Sequence, residues 1–173
     1  CLYRAIVIRL KSLLLPQANQ IMMEEKEKAW KTVSSKYLFR RPWLTVRCED
    51  MLLPNGNHIP EYYILEYPDW VNTIAITKDG KFVFVRQYRP GLGRTSYELC
   101  AGVCDKEDAS PLVSAQRELW EETGYGKGNW QEYMVISANP STHTNLTHCF
   151  LATDVEPIDH QHLEDTEDLS VPV

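Results

Sequence analysis

Ser110 to Gly124 can be read as a helix from both its ends and both its faces. Ser110 is a residue type that caps helix N-termini, Pro111 suits the first helical position, and Gly124 suits the left-handed residue that closes a C-terminus. Within that helix Glu118, Glu121 and Glu122 stand at i, i+3 and i+4 and share one face. Leu112, Val113, Leu119 and Trp120 fall on the other side and are expected to face a core. Glu121 and Glu122 occupy the last turn, where the helix dipole disfavours negative charge and like charges repel. A hard divalent cation would stabilise such a cluster. Spacing alone equally allows a solvated acidic face with Arg117 paired to Glu121 at i, i+4.

The segment before the helix tips the balance. Gly102, the acidic Asp108 and the run Arg117-Glu118-Leu119-Trp120-Glu121-Glu122-Thr123-Gly124-Tyr125 together resemble the Nudix box. That box marks hydrolases that cleave a nucleoside diphosphate linked to another group. The nine residues from Arg117 to Tyr125 match at every defined position. The first half departs: Asp108 stands where the family has Glu, and eight residues rather than seven separate it from Arg117. A loop before a helix tolerates one inserted residue.

The resemblance implies an α+β fold, an α/β/α sandwich in which a mixed sheet lies between helices and the box forms a loop–helix–loop. It further implies that Glu118, Glu121 and Glu122, with the Ala101 carbonyl oxygen, hold Mg²⁺ or Mn²⁺. Oxygen ligands suit those ions better than zinc. Arg117 would orient the glutamates by salt bridges. Val83 to Pro90 followed by Tyr97 to Gly102 looks like the segment of ADP-ribose and related nucleotide-sugar pyrophosphatases, with Cys100 where those enzymes have proline. Pro140, sixteen residues after Gly124, fits the same branch, although Ser141 replaces the usual glycine. The implied reaction is hydrolysis of the pyrophosphate of ADP-ribose or another ADP-sugar to AMP and a sugar phosphate. Arg89 is the candidate for gripping the diphosphate, because guanidinium matches phosphate oxygens two at a time. Glu98 either lies near the metals or pairs with an arginine. In this branch the general base comes from an acidic loop; Leu163 to Leu169 resembles it, with Glu167 as the best match and Asp165 or Glu164 as alternates. Trp43, Tyr62, Trp70 and Tyr88 are available to an adenine ring, and His143, Thr144 and Asn145 to a sugar. In related enzymes the early strands exchange between subunits, so residues 36–66 are expected to support a homodimer. GDP-mannose or another NDP-sugar is the rival substrate, and a non-catalytic ADP-ribose sensor the rival of another class.

The 173 residues suffice for one sizeable core. A net charge of −6 argues against broad nucleic-acid binding, which needs a basic face. Five cysteines without a secretory signal suggest reduced thiols in a cytoplasm. Cys100 and Cys104 with His143, His148 or Cys149 fit no strong zinc pattern, and buried thiols are the plainer expectation. Residues 1–15 are apolar but interrupted by Arg4, Arg9 and Lys11, too short a run to cross a bilayer. Residues 1–21 are expected to be a non-native or disordered leader before a start at Met22 or Met23. Residues 22–173 are then expected to form a single domain whose C-terminal helix is absent or truncated.

Elsewhere β-rich runs dominate. Strands are expected at Tyr37–Arg40, Trp43–Arg47, Tyr62–Glu66, Asn72–Thr77, Phe82–Arg89, Tyr97–Cys100, Glu132–Ala138, Thr147–Ala152 and Leu169–Val173. Turn chemistry marks Pro54–Asn57 and the Lys78–Lys81 hairpin.

Overall fold

A computed structural model describes residues 28–172, so the leader expected over residues 1–21 and the start at Met22 or Met23 lie outside the described residues. The chain divides between Leu65 and Glu66 into two units.

The first unit carries a three-stranded antiparallel sheet, β1 (Lys31–Arg41), β2 (Leu44–Leu52) and β3 (His58–Glu66), in the order β1-β2-β3. The strands reach further than their β-rich cores suggest, because ladder pairing carries polar residues such as Ser34, Ser35 and Lys36 into β1. Pro42 lies in the tight connection between β1 and β2, where a missing N–H costs nothing. β1 is exposed along its whole length.

The second unit is built on a six-stranded mixed sheet. Its backbone runs β10 (Asn129–Ile136), β11 (Thr147–Pro157), β4 (Trp70–Thr77) and β5 (Phe82–Val83), with β8 (Cys100–Val103) also on β4 and β9 (Tyr125–Gly126) on β11. β4 and β11 run parallel, and the other pairs are antiparallel. A second small sheet orders β12 (Leu169–Ser170), β6 (Val85–Arg89) and β7 (Arg94–Glu98). The runs expected as Phe82–Arg89 and Tyr97–Cys100 therefore each break, at Phe84 and at Leu99, and pass from one sheet to the other. Val85 pairs with Glu98 on one side of that break, while Val83 and Cys100 pair with β4 on the other.

α1 (Pro111–Thr123) packs against β8 and β4 and is the only α-helix among the described residues. The architecture is α+β, as the sequence implied, with one helical layer among the described residues. Ser110 Oγ accepts the Val113 N–H at 3.4 Å, and Gly124, at φ 72°, donates its N–H to the Trp120 carbonyl at 2.8 Å. Leu119 is fully buried with Val85, Cys100 and Val155, and Ala115 sits with Val71 and Phe150. Val113 departs from expectation. It is 39 % exposed, on the first turn of the helix.

Gly124 cannot be replaced freely. Its φ is one that L side chains rarely adopt, and a Cβ would land on the Asp159 carbonyl oxygen, a backbone atom that cannot swing aside. Gly124→Ala is expected to cost roughly 2 kcal/mol or more, a fall in Tm of about 4–8 °C. A thermal melt showing less than a one-degree change would refute the close approach.

Candidate active site

The C-terminal half of α1 and strand β8 between them define the site. Ala101 and Gly102 pair with Asn72 and Val71 of β4, which fixes the strand backbone in front of the helix. From α1 the carboxylates of Glu118 and Glu122 project toward it, and that of Glu121 lies on Arg117 beside them. Glu122 is only 4 % exposed, and its Oε2 accepts the Ala101 N–H at 3.2 Å. Gly102 leaves the space that Glu118 fills, because a Cβ there would fall on the Glu118 carboxylate.

Arg117 ties the cluster together. Its Nη1 donates to Glu118 and to Glu121, both at 2.9 Å. Nε and Nη2 reach Asp108 at 3.2 and 3.1 Å, and Nη2 also meets Asp105 and the Val103 carbonyl at 3.1 Å. Asp108 therefore anchors the box arginine despite the extra residue in its loop. The contribution of Asp105 was not anticipated, since only the folded loop brings it to the arginine. Burial opposes the charge on Arg117, yet the hydrogen bond to Glu121, the Glu118 charge and the bond to Asp108 raise its pKa further.

Arg117 faces more negative charge than it balances, whereas Arg89 is matched to one carboxylate. Arg89 on β6 forks onto Glu98 of β7 through Nε at 3.0 and 3.1 Å and Nη2 at 2.7 Å. Glu98 thus has an arginine partner, one of the two roles its sequence position allowed. Glu122 has no such partner. Burial, then the neighbouring Glu118 charge, pushes its pKa up to about 8. Glu118 is also raised, first by burial, against the opposing Arg117. The Glu167 charge contributes to both shifts, so the acidic loop between β11 and β12 lies within electrostatic reach of the helix face. Glu167 is exposed, and its Oε2 accepts the Glu164 N–H at 3.0 Å.

At neutral pH a carboxyl raised to about 8 is mostly protonated, and holding Glu122 ionised there needs a cation beside it. The donor set is oxygen throughout, and the gap at Gly102 leaves Glu118 free to approach the strand. These residues fit a hard divalent ion. Next to them lies a cavity of about 450 Å³ lined by Trp70, Asn72, Arg89, Ala101, Gly102 and Thr147 among others. A cavity of about 370 Å³ beside the Lys78–Lys81 hairpin shares none of these residues.

Other residues singled out from the sequence are placed differently. His143 packs its ring against Tyr67 and edge-on to Trp70, at centroid distances of 5.3 and 6.1 Å. Asn145 is buried with its Oδ1 unpaired, and Thr144 is exposed beside it. Trp43 and Tyr62 belong to the first unit, and Tyr88 is exposed on β6. Cys48, Cys100, Cys104 and Cys149 are free thiols, and none joins a metal-ligating group among the described residues. No helix among the described residues is long and apolar enough to cross a membrane.

Comparison with known proteins matches residues 67–172 to the NUDIX domain and residues 30–65 to the nucleoside diphosphate sugar hydrolase N-terminal domain. An ADP-ribose pyrophosphatase of Bacillus subtilis (strain 168) is 30% identical over 138 residues, covering 80% of this chain and 74% of the relative. A methanol dehydrogenase activator of Bacillus methanolicus is 33% identical over 122 residues, covering 70% and 65%. An ADP-ribose pyrophosphatase of Mycobacterium tuberculosis (strain ATCC 25618 / H37Rv) is 28% identical over 132 residues, covering 76% and 63%. The chain thus spans just under two thirds of the length of the latter two. The fold is shared with the crystal structure of an ADP compounds hydrolase at a TM-score of 0.73 and 22% identity, over 84% of this chain and 77% of that one. Because the domain match takes in more than half of the sequence and carries the helix and strand that build this site, the chain belongs to the Nudix family of hydrolases.

Proposed function

We propose that this hydrolase cleaves the pyrophosphate bond of ADP-ribose or a related ADP-sugar, releasing AMP and a sugar phosphate. The observation that carries the reading is the buried Glu122, without a cationic partner among the described residues, beside Glu118 and behind the Ala101–Gly102 strand that lines a cavity together with Arg89. The Bacillus subtilis and Mycobacterium tuberculosis relatives, both ADP-ribose pyrophosphatases, support the ADP-ribose assignment.

Glu118, Glu121 and Glu122, with the Ala101 carbonyl, would hold Mg²⁺, or Mn²⁺ in its place. A bound divalent cation neutralises diphosphate charge and acidifies a water. Arg117 holds Glu118 and Glu121 at fixed spacing. Arg89 is set to receive a phosphate oxygen, sharing its fork with Glu98 as substrate enters. Water adds to one phosphorus, the bond to the bridging oxygen breaks, and the proton lost by the water goes to a carboxylate. Glu167 is the group we assign to that proton, being exposed to water and close enough for its charge to act on both box glutamates. Glu167→Gln is expected to lower kcat by about 10²–10⁴ while Mg²⁺ affinity by calorimetry stays within a factor of about three. Near-normal turnover would reassign the base to Asp165 or Glu164.

A panel of nucleotide-sugars with Mg²⁺, scored for nucleoside monophosphate, tests the substrate. ADP-ribose should lead; GDP-mannose ahead of it would overturn the assignment. Binding of ADP-ribose without turnover would instead favour the sensor, which the presence of all three box glutamates disfavours.

The first unit exposes Phe39 and Trp43 on and beside β1, and a homodimer through residues 36–66 would give such side chains a partner. Light scattering giving a monomer mass at micromolar concentration would reject it. Free thiols accord with a cytoplasmic site, which fractionation of the native cell would check.

A further inference from the structure

The loop after β11 carries Asp159, His160 and His162, whose potential ligand atoms lie within 4.8 Å of one another. Asp159 stands between the imidazoles, with Oδ1 at 2.7 Å from His160 Nδ1 and Oδ2 at 3.0 Å from His162 Nε2. The two rings lie 4.3 Å apart.

The backbone under this group is fastened to the end of α1. Ile158 and Asp159 donate their N–H groups to the Gly124 carbonyl at 2.9 and 3.1 Å, and His162 donates to the Glu121 carbonyl at 2.8 Å. The His162 ring lies against Trp120 at 4.3 Å. Two ligands are therefore held by a loop that does not have to order itself on binding.

We propose that Asp159, His160 and His162 form a second cation site, for a borderline divalent transition ion such as Zn²⁺. Ligand atoms about 2.1 Å from a tetrahedral ion stand roughly 3.4 Å from one another; the Asp159–His contacts of 2.7 and 3.0 Å open slightly to reach that spacing, and the group as a whole already lies within 4.8 Å. His160 is 78 % exposed in its side chain and can make that movement. Two imidazole nitrogens and one carboxylate favour Zn²⁺, Ni²⁺ or Cu²⁺ over Mg²⁺, the reverse of the all-oxygen face on α1. Three protein ligands leave the remaining coordination positions to water. Binding replaces any proton held between imidazole and carboxylate, which passes to solvent. The proposal does not depend on the hydrolase reading.

The test is calorimetric titration of the full chain with Zn²⁺ in millimolar Mg²⁺, which keeps the α1 carboxylates occupied. The expected result is uptake of a single Zn²⁺ per chain, weakened roughly tenfold or more in His160→Ala and unchanged in Glu118→Gln. His160 is exposed, so its removal leaves the fold intact; His162→Ala provides a second check on the same ligand set. No uptake, uptake indifferent to both histidine variants, or uptake lost with Glu118 would each overturn the assignment, leaving Asp159 as a carboxylate that merely joins two imidazoles.

Discussion

Glu122→Gln is expected to lower turnover of ADP-ribose by on the order of 10³-fold. A divalent ion contributes several kcal/mol of charge stabilisation in a phosphoryl transition state, and glutamine removes a charged ligand from it. The side chain keeps its shape and can still accept the Ala101 N–H through its amide oxygen, so the loss is in charge rather than packing. The assay is release of AMP in saturating Mg²⁺, with circular dichroism to establish that the fold is kept. A loss smaller than about tenfold would remove Glu122 from the cation site.

The second large effect has the opposite sign, in stability. In a chelator the folded chain holds the Glu122 carboxyl at about 8, against 4.5 for an ordinary glutamate, because of burial and the Glu118 charge. A carboxyl with a raised folded pKa costs nothing below about 4.5, where it is protonated in both states. Its stabilising contribution is lost as pH rises through about 8, since the unfolded chain ionises first. The loss is on the order of a few kcal/mol, a fall in Tm of roughly 5–10 °C between pH 5 and pH 8.5. Mg²⁺ should abolish most of that slope, and Glu122→Gln should flatten it without any cation. Parallel slopes for the two chains in chelator would contradict the burial argument. The same substitution is thus expected to make a poorer enzyme and a more stable apo-protein.

Local chemistry explains which parts of the fold were legible in the sequence. Caps at Ser110 and Gly124 depend on a few adjacent atoms, so the helix ends could be read directly. The hairpin ending in Gly80 is of the same kind, with Gly80 N–H returned to the Thr77 carbonyl. The breaks at Phe84 and Leu99 leave no comparable trace. They exist because the strands on either side find different partners, a tertiary fact that a β-rich run does not encode. β9 is a two-residue pairing with the far end of β11 and is illegible for the same reason.

At the site, periodicity placed three glutamates on one face but gave no depth. Glu122 is buried beside Cys100, whereas Glu121 remains half-exposed. Burial of this order is a property of the strand laid over the helix. The Arg117–Glu121 pair was legible from i, i+4 spacing, whereas the Arg117–Asp108 bonds form only once the loop is folded. The fork of Arg89 onto Glu98 required the β6–β7 register, which pairs Arg89 with Arg94 and places Glu98 opposite Val85.

Arg117 touches the Val103 carbonyl as well as four carboxylates, and this has a bearing on ion size. The guanidinium is a rigid plane, so it braces β8, whose Ala101 carbonyl is a proposed ligand, against the helix that carries the proposed carboxylate ligands. A cage braced from outside cannot dilate to suit a larger guest. Magnesium, bound at about 2.1 Å, should fit it, while calcium at about 2.4 Å should bind loosely and support little turnover, a contrast visible by direct competition.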